Sequence, residues 1–429
     1  MRRCYLVLIG ILAISCSPVS KHALTKKFGA LEAKLHDHTG FMLYDPEQKK
    51  ELFSFQSDKY FTPASNTKIF TFYTSLIVLG DSIPALRYVE SGDSLIFEGT
   101  GDPSLLYENI YNPGRTFEFL SKTTKKLFLA DGNFYTDALG TGWSWDDLPF
   151  TYSSERSALP VFGNYFTLQQ TGAVIKTMPA YFAFNITVKD STEKPSLERE
   201  TGSNKIDINP SRLKSNNQWK TPFKTSADLT AKLLADTLNK EVTVIESGLS
   251  GTVKTLYSIP ADSLYKEMMQ ESDNFIAEQL LLVCAGVLSD SLKPEIAIRF
   301  MKKNNLADLP DEPIWVDGSG LSRYNLFTPR SIVKLWEKIY TLVPRERLFP
   351  LLAIGGKTGT VKRWYKNEPP YIYGKTGTLS NNHCLSGYLV TKKGRTLIFS
   401  FMSNNHPVPS SAVRQEMEVI LKELYLHYQ

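Results

Sequence analysis

Residues 61–80 read FTPASNTKIFTFYTSLIVLG. The break Thr62-Pro63-Ala64 precedes a short polar stretch, Ser65 to Lys68, and then an apolar run of helical length closed by Gly80. This pattern predicts a buried helix whose first turn carries Ser65. Lys68 follows three residues on, so both side chains share a helical face and the amine can reach the hydroxyl. A serine needs a base before it can attack a carbonyl, and a desolvated lysine near other cations has its pKa lowered enough to serve. The helix N-terminus favours the negative charge that would develop there. The plain reading of Ser65 is a helix cap. Ser-x-x-Lys alone carries little weight, because it recurs at Ser191/Lys194, Ser211/Lys214, Ser263/Lys266 and Ser331/Lys334.

The surroundings separate Ser65 from the others. Before it, GFMLYDPEQKKELFSF (40–55) predicts a hairpin: Phe41 to Tyr44, a polar turn from Asp45 to Lys50, then Leu52 to Phe55. Ser331 lacks such a hairpin and follows an ordinary helix start, Thr328-Pro329-Arg330. Further on, Ser272-Asp273-Asn274 interrupts two helical segments, LYKEMMQE and FIAEQLLLVCAG. Polar groups buried in such a place cost free energy unless they are paired, which points to a polar site; the plain reading is an N-cap at Ser272. Lys-Thr-Gly occurs twice, at 357–359 and 375–377. The second copy leads into LSNNHCLSGYLV, TKKG and RTLIFSFMSNN, an antiparallel meander that puts Lys375 on a strand. Gly377 would there let a substrate backbone approach closely. The first copy runs into VKRWYKNEPP and reads as a loop, so the second is the expected functional copy.

The chain has 429 residues, 42% hydrophobic and 22% charged, enough for two or three domains with sizeable cores. That composition excludes a disordered tail, a collagen-like fibre and a small disulfide scaffold. The net charge of +5 includes Arg2 and Arg3, and no basic stripe suggests nucleic acid. Phosphate-cradling glycine loops, a Gly-x-Ser-x-Gly elbow and a His-Glu-x-x-His pair are all missing from the sequence, so no metal or cofactor is expected. Residues 1–16, MRRCYLVLIGILAISC, read as an export signal ending in a lipoprotein-like box, with Ala13 where the box prefers Leu. Cys16 would carry the lipid, residues 17–27 would form a tether, and the domain would be held on a membrane rather than span it. Cys284 and Cys384 default to buried small hydrophobes, with a disulfide open.

Ser-x-x-Lys, Ser-Asp-Asn and Lys-Thr-Gly in this order are the signature set of serine β-lactamases and penicillin-binding proteins. With PASNTK, GTGDPSL (99–105), GWSWDDLPFTYSSERSAL (142–159), ESDNFIAEQLL (271–281), DGSGLSRYNLFTP (317–329) and GKTGTLSN (374–381), the chain resembles the class C low-molecular-mass penicillin-binding proteins, the D-alanyl-D-alanine carboxypeptidase/endopeptidases, from about residue 30 to the end. The resemblance implies an α/β (α+β) fold of the β-lactamase/transpeptidase type, an antiparallel sheet with helices on both faces. Ser65 and Ser272 stand 207 residues apart, farther than in plain β-lactamase-like enzymes. An inserted domain is therefore expected at 84–255, splitting the catalytic domain into 28–83 and 256–429.

The resemblance also implies roles. Ser65 would form an acyl-enzyme with peptidoglycan stem peptides ending in D-Ala-D-Ala, and Lys68 would take its proton. The amides of Ser65 and Thr378 would form the oxyanion hole. Ser272 would relay the proton to the leaving amine, and Asn274 would hold the substrate amide and Lys68. Lys375, Thr376 and Thr378 would bind the terminal carboxylate, and Lys375 would depress the Lys68 pKa. β-Lactams would acylate Ser65 as covalent inhibitors. Asp102 and Arg323 are candidates for the zwitterionic end of a stem-peptide diamino acid, against plain readings as a turn cap and a surface pair. Trp145, Asp146 and Asp147 read as packing and turn residues. The expected place is the periplasm, with a lipid anchor on Cys16. Two alternatives stay open: a serine β-lactamase, which would need a deacylating base, and a non-turnover penicillin-binding scaffold or sensor lipoprotein.

Overall fold

The computed structural model describes residues 20–110, 114–171, 174–189, 197–209 and 218–428. The export signal and Cys16 lie outside the described residues.

The meander is built from strands Ile372–Leu379, Asn382–Val390 and Thr396–Asn404, all antiparallel. The hairpin His38–Asp45 and Lys50–Phe55 adds to its outer strand, with Thr39 facing Ser403 and Leu43 facing Phe399. A short strand, Ala353–Ile354, completes a six-stranded antiparallel sheet drawn from both ends of the chain. The strand Thr396–Asn404 is buried at every position, so its two faces are both covered. Alternation along the strands sorts the side chains between two cores. Cys384, Tyr388, Ile398 and Met402 pack with helices Lys68–Val78, Asn274–Ser289 and Pro329–Leu342. Leu385, Leu389, Phe399 and Phe401 pack with helices Lys21–Leu35 and Ser410–His427. The architecture is α/β (α+β), an antiparallel sheet with helices on both faces.

The helix Lys21–Leu35, capped by Ser20, corrects the reading of residues 17–27 as a tether, because residues 21–27 belong to the helix. Leu24, Phe28, Leu31 and Leu35 recur at spacings of four, three and four and are all buried. Phe28 packs against Phe41 in a tilted pair with ring centroids 4.7 Å apart. The polar residues between these positions face solvent and disguise the period.

Between the two parts of the six-stranded sheet, the chain builds a five-stranded mixed sheet ordered Val242–Ile245, Lys126–Ala130, Ser94–Gly99, Ser82–Ser91, Lys254–Pro260. Strands Ser82–Ser91 and Lys254–Pro260 are antiparallel neighbours, so the chain leaves and returns side by side. The expected boundaries at 84 and 255 fall inside these two strands. This region has its own apolar core, including Leu86, Phe97, Leu129 and Leu233. Cys284 and Cys384 are buried and unbridged, and burial pushes both thiols up to about 12, so neither is reactive. Among the described residues no helix is long and apolar enough to cross a membrane.

Candidate active site

Ser65 lies in a single 3₁₀ turn, Ala64–Thr67, that feeds directly into the helix Lys68–Val78, and no side chain caps either element. Ala64 holds a left-handed backbone, φ 48°, a strain that the surroundings must enforce. Gly320 abuts it so closely that a Cβ there would sit 1.9 Å from the Ala64 carbonyl oxygen. Asn66 ties the turn to the sheet: its Nδ2 donates to the Lys375 carbonyl at 3.2 Å, and its Oδ1 accepts from Ser386 Oγ at 2.5 Å.

Lys68 is fully buried. Its Nζ lies 3.0 Å from Ser65 Oγ, 2.6 Å from Asn274 Oδ1 and 2.7 Å from the Ser319 carbonyl oxygen. The last two partners only accept, so a neutral amine gives them its two N–H groups and turns its lone pair to the Ser65 hydroxyl. Burial lowers the Lys68 pKa to about 8, against the opposing charges of Asp317, Asp273 and Glu278. At pH 7 roughly a tenth of the molecules then carry the free base.

Lys375 Nζ donates to Ser272 Oγ at 2.7 Å and to the Thr376 carbonyl at 2.8 Å. Burial first, and Lys68 second, hold its pKa well below the usual lysine range. The two-lysine repulsion thus falls on Lys375, whereas burial is the main cause for Lys68. Ser272 occupies a left-handed position, φ 65°, outside the helix. Asp273 is the cap, its Oδ1 accepting from the Ile276 amide at 2.9 Å. Asn274 turns its Nδ2 to the Tyr152 carbonyl at 2.9 Å, so the chain between the two parts of the main sheet also reaches this site.

Ser65, Ser272, Asn274 and Thr378 line one cavity of about 510 Å³, and Arg323 joins them. Asp147 and Tyr152 line it too, with the Tyr152 hydroxyl donating to Asp147 Oδ1 at 2.8 Å. Sequence reasoning passed over both, taking Asp147 for a turn residue. Trp145, read as packing, is 83% exposed. Asp102 does not join the cavity. It is buried, accepts from the amide and hydroxyl of Ser104 at 2.9 Å each, and is pushed up to about 6 by burial. The turn-cap reading is the one the geometry matches. Gly377 also differs from its reading: the place of its missing Cβ is filled by the nucleophile turn, Pro63 O at 2.4 Å and Ser65 N at 2.9 Å, rather than left open for substrate.

Two buried carboxylates were also missed. Glu278, one helical turn beyond Asn274, accepts from the Ser319 amide at 2.7 Å, holding the same residue whose carbonyl accepts from Lys68. Burial raises its pKa, with Asp317 adding to the effect and Arg156 opposing it. Asp317 accepts from the amides of Gly320 (2.9 Å) and Ser322 (2.6 Å) and from Asn325 Nδ2 (2.7 Å), fixing the loop that carries Arg323. Glu278→Gln removes an anion that favours charged Lys68. The acidic limb of the acylation rate should therefore move to lower pH, which a kcat/KM profile would read.

In the first Lys-Thr-Gly copy, Lys357 pairs with Glu368 at 3.2 Å and both side chains are largely exposed. Such pairs contribute little, so Lys357→Ala should leave kcat/KM within about twofold. A steady-state assay with a D-Ala-D-Ala peptide checks this. Thr360 of that copy has a different place, with its hydroxyl 2.6 Å from that of Thr376.

A serine hydroxyl 3.0 Å from the amine of a buried lysine, with a second lysine on the adjoining strand, defines a serine hydrolase that works through an acyl-enzyme. The sequence profile of the D-Ala-D-Ala carboxypeptidase 3 (S13) family matches residues 23–424, and the chain belongs to that family. It is 24% identical over 425 residues to D-alanyl-D-alanine carboxypeptidase DacB of Haemophilus influenzae, covering 86% of each chain. The crystal structure of penicillin binding protein 4 (dacB) from Haemophilus influenzae superposes with a TM-score of 0.75 at 22% identity, over 92% of this chain and 99% of that one. The same protein complexed with a β-lactam gives a TM-score of 0.69 at 21% identity, over 92% and 99%. At such identities the structural likeness carries the fold.

Proposed function

We propose that this chain removes the terminal D-alanine from peptidoglycan stem peptides ending in D-Ala-D-Ala, through an acyl-enzyme on Ser65. The observation that carries the reading is the 3.0 Å approach of Lys68 Nζ to Ser65 Oγ, with the other two amine contacts taken by acceptors. Lys68 takes the hydroxyl proton as Ser65 attacks the carbonyl between the two D-alanines. The amides of Ser65 and Thr378 stabilise the oxyanion, at a few kcal/mol per donor. Ser272, hydrogen-bonded to Lys375, passes a proton to the leaving amine. The terminal carboxylate meets Thr376 and Thr378. Water then cleaves the ester, returning Ser65. Asp147 and Arg323, of opposite charge in the same cavity, suit the zwitterionic end of a diamino acid side chain. A β-lactam mimics the D-Ala-D-Ala amide and acylates Ser65; support comes from the Haemophilus protein, whose structure is complexed with one.

Labelling with fluorescent penicillin tests this. Wild type should carry stable label, and Ser65→Ala none. Rapid loss of label with hydrolysed penicillin would instead mark a β-lactamase. A labelled protein that leaves a D-Ala-D-Ala peptide uncut would mark a non-turnover penicillin-binding protein.

The chain is further proposed to be exported and lipid-anchored in the periplasm. Support lies in Arg2 and Arg3, the apolar run Tyr5–Ile14 and Cys16. Labelled palmitate should enter wild type and not Cys16→Ser, and label retained in that variant would exclude Cys16 as the anchor point.

A further inference from the structure

A free carboxylate at the substrate terminus needs a lasting cation, and Lys375 is poorly suited to supply one. Its amine is turned to Ser272 and the Thr376 carbonyl, and burial holds it well below the ordinary lysine range. His383, whose Nδ1 lies 2.8 Å from Thr378 Oγ1, is pushed down to about 3 by burial and is neutral at physiological pH. A third group meets the same hydroxyl. Arg414, on the C-terminal helix Ser410–His427, points Nη2 at Thr378 Oγ1 from 3.4 Å. Thr378 itself is exposed to the cavity that holds Ser65, and Ser410 at the head of the same helix lines that cavity.

Arg414 is short of partners. Among the described residues it makes no ion pair, and its Nε is buried without a hydrogen-bond partner. The acid one turn along, Glu418, is engaged by the Tyr365 amide. A half-buried guanidinium without a counter-ion, bonded to a hydroxyl that faces the cavity, fits an anion that is not part of the chain.

We propose that Arg414 is the permanent cation of the carboxylate subsite, acting with Thr378 to select peptides whose terminal carboxylate is free over those in which it is amidated. The inference rests on the reading that this cavity binds D-Ala-D-Ala peptides. Arginine is always protonated, so this selection persists across the pH range in which Lys68 titrates. It also explains how the subsite holds an anion while both active-site lysines are held low: the charge that binds is separated from the amines that move protons.

The test compares kcat/KM for a D-Ala-D-Ala peptide with that for its C-terminal amide, in wild type, Arg414→Gln and Arg414→Lys. Wild type should favour the acid. Arg414→Gln should lose about tenfold or more on the acid and stay within about twofold on the amide, as expected for removing a charged hydrogen-bond donor. Arg414→Lys, which keeps charge but not the planar fork, should fall between. Equal losses on acid and amide would make Arg414 a structural prop and overturn the proposal, as would an unchanged acid rate. In both cases the peptidase reading would stand. A wild type that cleaves neither peptide would overturn both.

Discussion

Lys68→Met should lower the rate of Ser65 acylation by at least about a thousandfold, because no other base lies within reach of the hydroxyl proton among the described contacts of Ser65. The same variant should change how stability depends on pH. The Lys68 pKa is lowered to about 8 in the fold from an ordinary 10.5. The unfolded chain therefore binds more protons between those values, and wild-type stability rises with pH across that window. Below about pH 8 the full penalty applies, on the order of 3 kcal/mol. Methionine removes that penalty but strands Asn274 Oδ1 and the Ser319 carbonyl, at about 1–3 kcal/mol for each buried unpaired group. At pH 7 the two effects oppose, and the variant should lie close to wild type. At pH 10 wild type should lead, having recovered most of its penalty. Urea unfolding at both pH values, with penicillin acylation in parallel, reads all of this. A stability gap that did not change with pH would mean that burial does not lower the Lys68 pKa.

The parts of this site that local chemistry marks were legible in the sequence. The hairpin at 38–55 and the meander at 372–404 announce themselves as short apolar runs set between turn residues. Ser65 and Lys68 sit three apart on one short segment, so their meeting needs no tertiary knowledge. Ser272 and Lys375 were marked by context, a polar break between two helices and a strand of the meander, and only their roles came from the motif resemblance. The groups that escaped notice are those joined by distant contacts. Glu278 reaches the Ser319 amide across 41 residues of chain, and nothing around either residue signals the pair. Asp147 and Tyr152 arrive from an irregular stretch whose acids and aromatics equally suit a turn. Asp102 erred the other way: Asp before Pro reads alike as a ligand or a turn, and burial decided for the turn. The helix at 21–35 was hidden because its four buried positions are scattered among lysines and small residues.

Gly377→Ala should cost at least about a hundredfold in acylation, although it adds only one methyl to a residue that touches no proton in the reaction. Its Cβ would stand 2.4 Å from Pro63 O and 2.9 Å from the amides of Ser65 and Asn66. All three are backbone atoms, so no side chain can swing aside. Either the strand Ile372–Leu379 or the turn Ala64–Thr67 must move. The strand is pinned by its full register with Asn382–Val390 and by Asn66 bonded to the Lys375 carbonyl. The turn is pinned from its other side, where Gly320 abuts Ala64. Neither can yield without separating Ser65 from the amides and amines arranged around it, and misplacement by about 1 Å in such a site costs on the order of a hundredfold. Overpacking of this kind also costs about 1–3 kcal/mol in stability, which a Tm shift of a few degrees would show. Alanine carries no charge and removes no hydrogen bond, so a loss of acylation in a folded Gly377→Ala protein would isolate the geometric contribution. Acylation within about threefold of wild type would mean that the turn and strand are free to part, and that the close approach is not what holds the nucleophile in place.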